Sequence, residues 1–117
     1  MKGAKMEQKE MTLREVCRSC HVSRRAVQGY EKHGLVRPTG RSERGYLLYD
    51  AAAQQRIRQI KRYQEFGFQV KEIRELLQAP PPILKEKLLA RRQSLLESRQ
   101  RLEEAIQNIT ELINTME

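Results

Sequence analysis

The sequence has few of the residues that build a large or cross-linked core. Among its 117 residues there is no tryptophan, aromatic residues make up 5%, and only two residues are cysteine. An isolated monomer of this size with a small aliphatic core buries little apolar surface, which favours oligomerisation.

Long apolar runs are missing as well. No run of about 18 apolar residues is present, so the sequence predicts no transmembrane helix. The first residues, MKGAKMEQKEM, lack the apolar segment of a signal peptide. We therefore expect a cytoplasmic protein without membrane contact, in which reducing conditions make a disulfide unnecessary.

Basic residues, by contrast, are abundant and concentrated in one part of the chain. The formal net charge is +8. Residues 1–80 contain 17 Lys and Arg against 9 Asp and Glu, whereas residues 81–117 contain 6 of each class. This distribution predicts a nucleic-acid-binding part followed by an electrostatically neutral assembly segment.

The first predicted helix begins at Thr12. Glu15 follows three residues later and completes a T-x-x-E capping box. Leu13, Val16 and Cys17 recur at helical spacing and are expected to form its inward face. Residues 20–22, Cys-His-Val, are predicted to form the turn into a second helix.

The second predicted helix carries a charge pattern that points to a partner. Ser23 is a typical N-cap, and Arg24 and Arg25 occupy the first turn. Cations there oppose the helix dipole, so local stability does not explain them, whereas an anionic partner does. Gly34 is expected to end the helix as a C′ glycine. The predicted inward residues are Ala26, Val27 and Tyr30.

Two short β-prone runs follow, near residues 35–36 and over residues 46–49. Together with the two helices they predict a helix-turn-helix beside a β-hairpin, or wing, with both touching a nucleic-acid backbone. Tyr46 and Tyr49 alternate along the second run, so we expect Tyr49 in the core and Tyr46 outside. The loop between the runs carries Arg37, Arg41, Arg44 and Gly45.

Two further helices are predicted before the end of this domain. Asp50 is expected to cap the third helix, and Gly67 to end it. Arg58, Lys61 and Arg62 lie on other faces of that helix. The predicted inward residues are Ala53, Ile57, Ile60 and Phe66 in the third helix, and Val70, Ile73, Leu76 and Leu77 in the fourth.

The last part of the chain has a heptad pattern. Pro80, Pro81 and Pro82 remove three backbone donors and predict an extended link. A single long helix is predicted over residues 83–116, with apolar residues every seven positions and an alternating partner position. The predicted dimerisation residues are Leu88, Leu95, Leu102, Ile106, Ile109, Ile113 and Met116.

These patterns predict a mainly α protein. A winged helix-turn-helix DNA-binding domain with a small β-hairpin wing is followed by a long C-terminal coiled-coil helix. We divide the chain into a flexible arm (1–10), a DNA-binding domain (11–79), a proline linker (80–82) and a dimerisation helix (83–117). No paired carboxylates, nucleophile with a base or phosphate-cradling glycine loop is present, so the sequence does not predict an enzyme.

The ordered motifs YEKHGL, RSERGY and GF-x-x-x-EI are more specific than a generic helix-turn-helix. Over residues 12–78 the chain resembles the MerR family of bacterial transcription regulators. The resemblance implies a homodimer that binds a palindromic promoter operator in double-stranded DNA. It further implies that the dimer bends and untwists the DNA to align promoter elements for RNA polymerase. Residues 83–116 resemble the family only in the type of element that they form, because members of the family end this module with a long dimerisation helix.

The resemblance also implies which side chains contact DNA. The second helix and the wing supply most of them, and the third helix supplies one. Three positions depart from the family pattern: Gln28 and Leu47 stand where arginine is common, and Gly29 where an aromatic residue is usual. Two fewer charges predict weaker phosphate binding, although Gln28 can pair with an adenine edge. The predicted DNA-binding residues are Ser23, Arg24, Arg25, Gln28, Tyr30, Arg41, Ser42, Arg44, Tyr46 and Arg62.

Residues 17–21 read C-x-x-C-H, the spacing of c-type haem attachment. Haem attachment requires export, for which the sequence carries no signal. Metal binding by Cys17, Cys20 and His33 is a second alternative. Packing and turn roles account for these residues more fully, so we predict no cofactor and no metal site.

One alternative function belongs to a different class. Winged-helix domains also act as adaptors that bind a protein partner, and Gln28, Gly29 and Leu47 motivate this interpretation because they weaken the DNA-binding face. An adaptor is expected to form a protein complex that survives high salt, whereas DNA binding by a regulator weakens steeply with salt.

Overall fold

The computed structural model describes residues 9–117, which fall into a unit ending at Leu77 and a second unit, Gln78–Glu117. The flexible arm predicted for residues 1–10 therefore lies outside the described residues over positions 1–8. The elements in chain order are β1 (Met11–Thr12), α1 (Leu13–Cys20), α2 (Arg24–Lys32), β2 (Gly40–Arg41), β3 (Leu47–Tyr49), α3 (Ala51–Glu65), α4 (Val70–Gln78) and α5 (Pro81–Thr115).

Short polar side chains begin the first three helices, as predicted. Thr12 and Glu15 form a reciprocal capping box, with N···O distances of 2.9 and 3.3 Å. Ser23 Oγ accepts a hydrogen bond from the Ala26 amide at 2.9 Å. Asp50 accepts one from the Ala53 amide at the same distance. Each oxygen satisfies a backbone donor that has no partner within its own helix.

Gly34 ends α2 with a Schellman arrangement. The Leu35 amide donates to Tyr30 O at 2.9 Å, and the Gly34 amide donates to Glu31 O at 3.0 Å. Gly34 has φ +73°, in the left-handed region that a side chain disfavours. The prediction of a helix stop at this residue is confirmed.

The sheet has three antiparallel strands in the order β1-β3-β2. Met11 pairs with Tyr49, and Gly40 pairs with Leu48. The prediction of a strand near residues 35–36 is wrong, because the Leu35 amide is already bonded to the end of α2. The side chains of Leu35 and Val36 are buried in the core instead. The hairpin partner of β3 is β2, and β1 was not predicted at all.

The core lies among the helices and the sheet of the first unit. Tyr49 belongs to this core, as predicted, whereas Phe66 is 37% exposed and does not take its predicted inward position. Cys20 is the buried end of α1, and the turn begins one residue later at His21, which has φ 56°. Cys17, predicted as the buried cysteine, is only half-buried. The fully buried apolar residues are Val16, Val27, Tyr49, Ile57, Ile60 and Ile73.

The proline segment is helical rather than extended, which corrects the predicted linker. Pro80 is the N-cap of α5, and Pro81 and Pro82 occupy its first turn. Amides in the first turn have no partner within the helix, so proline loses nothing there and its fixed φ suits the helix. Three prolines in succession thus start a helix here instead of preventing one.

The long helix α5 extends over 35 residues, and most of its large apolar side chains are exposed to solvent in the single chain. Leu102, Ile106 and Met116 are 64%, 62% and 74% exposed in the single chain. Of the predicted dimerisation residues only Leu88 is half-buried. Across residues 9–117 no helix is both long and apolar enough to cross a membrane.

Candidate nucleic-acid interface

The helix-turn-helix of α1 and α2 is held from behind by α3. Lys61 Nζ donates to two carbonyl oxygens at the end of α1, Cys20 O at 3.2 Å and His21 O at 2.7 Å. Arg58 Nη1 lies 3.6 Å from Cys20 Sγ. Cations at a helix C-terminus satisfy carbonyl groups that have no other helical partner. These bonds fix the turn from which α2 starts.

The far end of α2 is held by two other elements, α4 and β3. The Arg74 guanidinium in α4 donates to His33 O, and the Tyr49 hydroxyl in β3 donates to the Glu31 carboxylate. Burial, and then the bond to Glu31, raise the pKa of Tyr49 well above its ordinary value. The helix is therefore fixed at both ends, which sets how its outer face is presented.

Tyr30 faces inward and takes part in this support. It is 2% exposed, and its hydroxyl donates to Gln64 Oε1 at 2.6 Å. Burial raises the pKa of Tyr30. Its hydroxyl is thus already used inside the protein, which differs from the predicted contact with the DNA backbone.

The outer face of α2 begins with two cations whose side chains form no hydrogen bond or ion pair with the described residues. Arg24, Arg25 and Gln28 are exposed, and within residues 9–117 no hydrogen bond or ion pair involves their side chains. Ser23 is also exposed, although its hydroxyl oxygen is occupied as the N-cap. Two uncompensated guanidinium groups at a helix N-terminus favour an anionic ligand.

Two of the predicted wing residues stabilise the wing itself. Arg41 Nη1 donates to Gly45 O at 2.8 Å, and Ser42 Oγ accepts from the Tyr46 amide at 3.1 Å. Gly45 closes the turn with φ +86°. Arg44 and Tyr46 project outward, with Tyr46 58% exposed. The tip of the wing therefore presents the Arg44 guanidinium, the Glu43 carboxylate and the Tyr46 phenol to solvent.

Arg62, the predicted contact of α3, is exposed at the end of that helix. Its guanidinium carbon lies 5.9 Å from the centre of the Phe66 ring, within the range of a cation–π contact. Phe66 thus contacts Arg62 from its partly exposed position.

A cleft of about 550 Å³ separates the wing from the two short helices. Arg14 and Arg24 line it from the helices, and Tyr46 and Leu47 line it from the wing. Arg14 was not among the predicted site residues. Its position in the first turn of α1, like that of Arg24 in α2, could have indicated it, because a cation there opposes the helix dipole.

The cysteines are arranged differently from a metal site. Within the described part of the chain no group of three or more His, Cys, Asp or Glu side chains is placed to hold a metal ion. Burial raises the pKa of the Cys17 thiol, although Arg24 acts in the opposite direction. Cys17 and Cys20 are both free thiols.

A supported helix-turn-helix with an adjacent antiparallel wing defines the class of winged helix-turn-helix domains. A family model described as MerR HTH family regulatory protein matches residues 11–80, and one described as MerR, DNA binding, matches residues 54–117. The chain belongs to the MerR family of DNA-binding transcriptional regulators, which are not enzymes. The resemblance and the predicted fold class are thereby confirmed.

Among curated proteins, the chain is similar to the mercuric resistance operon regulatory protein of Bacillus cereus. The two are 38% identical over 63 residues, which cover 54% of this chain and 48% of that protein. Across the first such relatives the chain spans between about a third and a half of their length.

Two solved structures share the fold. The N-terminal part of MtaN, the Bacillus subtilis multidrug transporter activator, has a TM-score of 0.73 and 31% identity, covering 88% of this chain and 97% of that one. HiNmlR, a MerR family regulator lacking the sensor domain and bound to promoter DNA, has a TM-score of 0.54 and 19% identity. The coverage in the second case is 91% of this chain and 80% of that chain.

Proposed function

We propose that this protein acts as a homodimeric transcriptional regulator that binds a palindromic operator in double-stranded DNA. The observation that carries the proposal is the group of exposed arginines on α2 and the wing. Arg24, Arg25 and Arg44 have no ion pair within the described residues, and two of them oppose the dipole of their own helix. A phosphate backbone supplies the missing negative charge.

The shape of the unit supports the same proposal. A helix of nine residues fits the major groove, and a two-stranded wing beside it reaches the flanking backbone. Arg14 adds a third cation on the cleft between them. We therefore assign base and phosphate contacts to α2, and phosphate or minor-groove contacts to Arg44 and Tyr46.

The homodimer is inferred from α5. The apolar residues of this helix recur in heptads and are more than half exposed from Leu102 onward, which an isolated helix in water does not tolerate well. A second copy of the same helix supplies a matching apolar stripe. Two copies related by two-fold symmetry place two recognition helices on two half-sites, which is why we propose an inverted repeat.

The proposal extends to the promoter through the relatives. Their names describe an operon regulatory protein and a transcriptional activator, and one structural neighbour is bound to promoter DNA. We propose that this dimer bends or untwists its operator in the cytoplasm so that promoter elements become aligned for RNA polymerase. Deformation of this kind depends on phosphate contacts on both sides of the site.

The decisive experiment is selection of bound duplexes from a random DNA pool at two salt concentrations. We expect an inverted repeat, binding that weakens steeply with salt, and a dimer in analytical ultracentrifugation. The Arg24→Gln/Arg25→Gln variant should lower the salt slope by about 0.9 per lost phosphate contact. Lys85→Gln/Lys87→Gln removes the same charge from α5 and serves as the matched control.

Two results would count against the proposal. Recovery of unspecific DNA alone would exclude the regulator and favour the adaptor, for which a salt-resistant protein complex is expected. Equal effects of the α2 and α5 charge variants would show that total charge, rather than the outer face of α2, attracts DNA.

A further inference from the structure

The outer face of α2 is charged at its two ends and neutral in its middle. Arg24 and Arg25 occupy the first turn and Lys32 the last, and all three are exposed. Gln28 lies between them, about 6 Å along the axis from Arg24 and the same distance from Lys32 at 1.5 Å per residue. Gly29 is beside it. The neutral middle therefore consists of one exposed amide and the half-buried Gly29, whose carbonyl oxygen lies 2.9 Å from His33 Nδ1.

The Gln28 amide differs chemically from the cations that flank it. It is exposed, and no hydrogen bond to another described residue involves its side chain. A guanidinium or ammonium group pairs with a phosphate as a charge, whereas an amide offers one donor and one acceptor side by side. The edge of an adenine in the major groove, with the N6 donor and the N7 acceptor, is the complement of that pair.

Gly29 has no explanation within the protein. Apart from its two chain neighbours and the nearby backbone of α2, no heavy atom of a described residue lies within 4 Å of the position that a Cβ would take, so packing does not require a glycine. Its backbone is helical, so conformation does not require one either. Glycine disfavours a helix interior relative to alanine, and the chain carries this disadvantage on its outer face. The benefit is clearance, because a surface that meets Gly29 can come closer to the helix axis by the size of a side chain.

We infer that Gln28 reads an adenine in each half-site of the operator and that Gly29 lets α2 enter the groove deeply enough for the amide to reach it. This inference rests on the proposed function, since it requires α2 to lie in the major groove. The charged ends of the helix hold the two phosphate backbones, and the neutral middle determines the base.

The test uses the full chain and parallel selections from one random DNA pool. The wild-type protein should enrich an A·T pair at one fixed position of each half-site. Gln28→Ala should lose the preference at that position alone and bind the wild-type duplex roughly 5- to 100-fold more weakly for each half-site. Its salt slope should be unchanged, because no charge is removed. Gln69→Ala removes an exposed glutamine outside α2 and is the matched control.

A chemical probe locates the contact on the base. Replacing that adenine with 7-deazaadenine removes only the N7 acceptor, and this should weaken binding by the wild-type protein but not by Gln28→Ala. Gln28→Arg should change the selected pair to G·C, because arginine pairs with the O6 and N7 acceptors of guanine.

Gly29→Ala tests the clearance separately. We expect a higher melting temperature, since alanine favours the helix, together with weaker binding to the selected duplex. Unchanged affinity would overturn the role of Gly29, and an adenine preference that persists in Gln28→Ala would overturn the role of Gln28. A wild-type protein that selects no motif would overturn the proposed function itself, and the inference with it.

Discussion

Lys61 provides the sharpest test of how the interface is supported. We expect Lys61→Met to destabilise the protein although it removes a surface charge from a strongly basic chain. The methionine keeps the apolar stem and removes both hydrogen bonds to the end of α1, to Cys20 O and His21 O. Relief of repulsion among the many cations predicts the opposite sign, so the direction of the change is informative.

The magnitude follows from the two contacts. A hydrogen bond involving a charged group contributes about 1.5–3 kcal/mol, and a partly buried cation at a helix C-terminus contributes up to about 2 kcal/mol. The Lys61 side chain is 28% exposed, and water can replace part of what is lost. We therefore expect a loss of about 2 kcal/mol in the free energy of unfolding.

The control is the partner of Lys61 on the same helix. Glu65 lies 3.9 Å from Lys61 Nζ but is 62% exposed, and exposed pairs contribute between about 0 and 1 kcal/mol. Glu65→Gln should therefore change stability by less than about 0.5 kcal/mol. Urea unfolding at one fixed protein concentration measures both variants, since the proposed dimerisation would make the midpoint depend on concentration. Equal losses in the two variants, or no loss in Lys61→Met, would refute the capping role.

Three further changes probe other parts of the molecule. Arg14→Gln should lower the salt slope of DNA binding by about 0.9 per subunit of the proposed dimer, as measured by fluorescence anisotropy over a salt series; an unchanged slope would remove Arg14 from the interface. Tyr49→Phe should cost about 1.5–3 kcal/mol in urea unfolding at pH 8. Because the pKa of Tyr49 is raised in the folded state, its contribution is complete below its ordinary value of 10.0 and declines as the pH rises further. The cost should therefore shrink above pH 10, where the unfolded chain loses this proton first, and a constant cost would show that folding does not raise the pKa of Tyr49. Ile109→Asp should convert the dimer to a monomer in sedimentation equilibrium, since Ile109 is 57% exposed in the single chain; a dimer of unchanged affinity would contradict the proposed interface.

Local features of the fold could be predicted from the sequence because their causes are local. Ser23 and Asp50 cap amides three residues away, and Gly34 ends α2 through bonds within five residues. Each signal is contained in a few consecutive residues, so the side chain alone indicates the structure. The same holds for the cations in the first turn of α2.

Long-range pairings could not be predicted in this way. β1 is two residues long and pairs with residues 36 and 38 positions later, which leaves almost no periodic signal in the sequence. Lys61 looks like a surface cation until the fold brings it to carbonyls 40 residues away. The spacing of Tyr30 along α2 predicts an inward position, whereas its hydroxyl is a polar group that could bind a partner. Only the position of Gln64 in the fold shows that the hydroxyl is bonded inside the protein. Tertiary contacts decide these cases, and a sequence pattern does not contain them.

The short strand β1 limits how this protein can be trimmed. It covers one edge of β3, and the carbonyl of Lys9 just before it accepts a hydrogen bond from Gln54 Nε2 at 2.8 Å. A variant cut after Lys9 would leave Gln54 without that acceptor, whereas a cut after Met11 would also open a β-strand edge that neighbouring molecules can pair with. Aggregation after limited proteolysis at the N-terminal side should thus begin only once cleavage reaches Met11, which makes β1 the practical boundary for shortened variants.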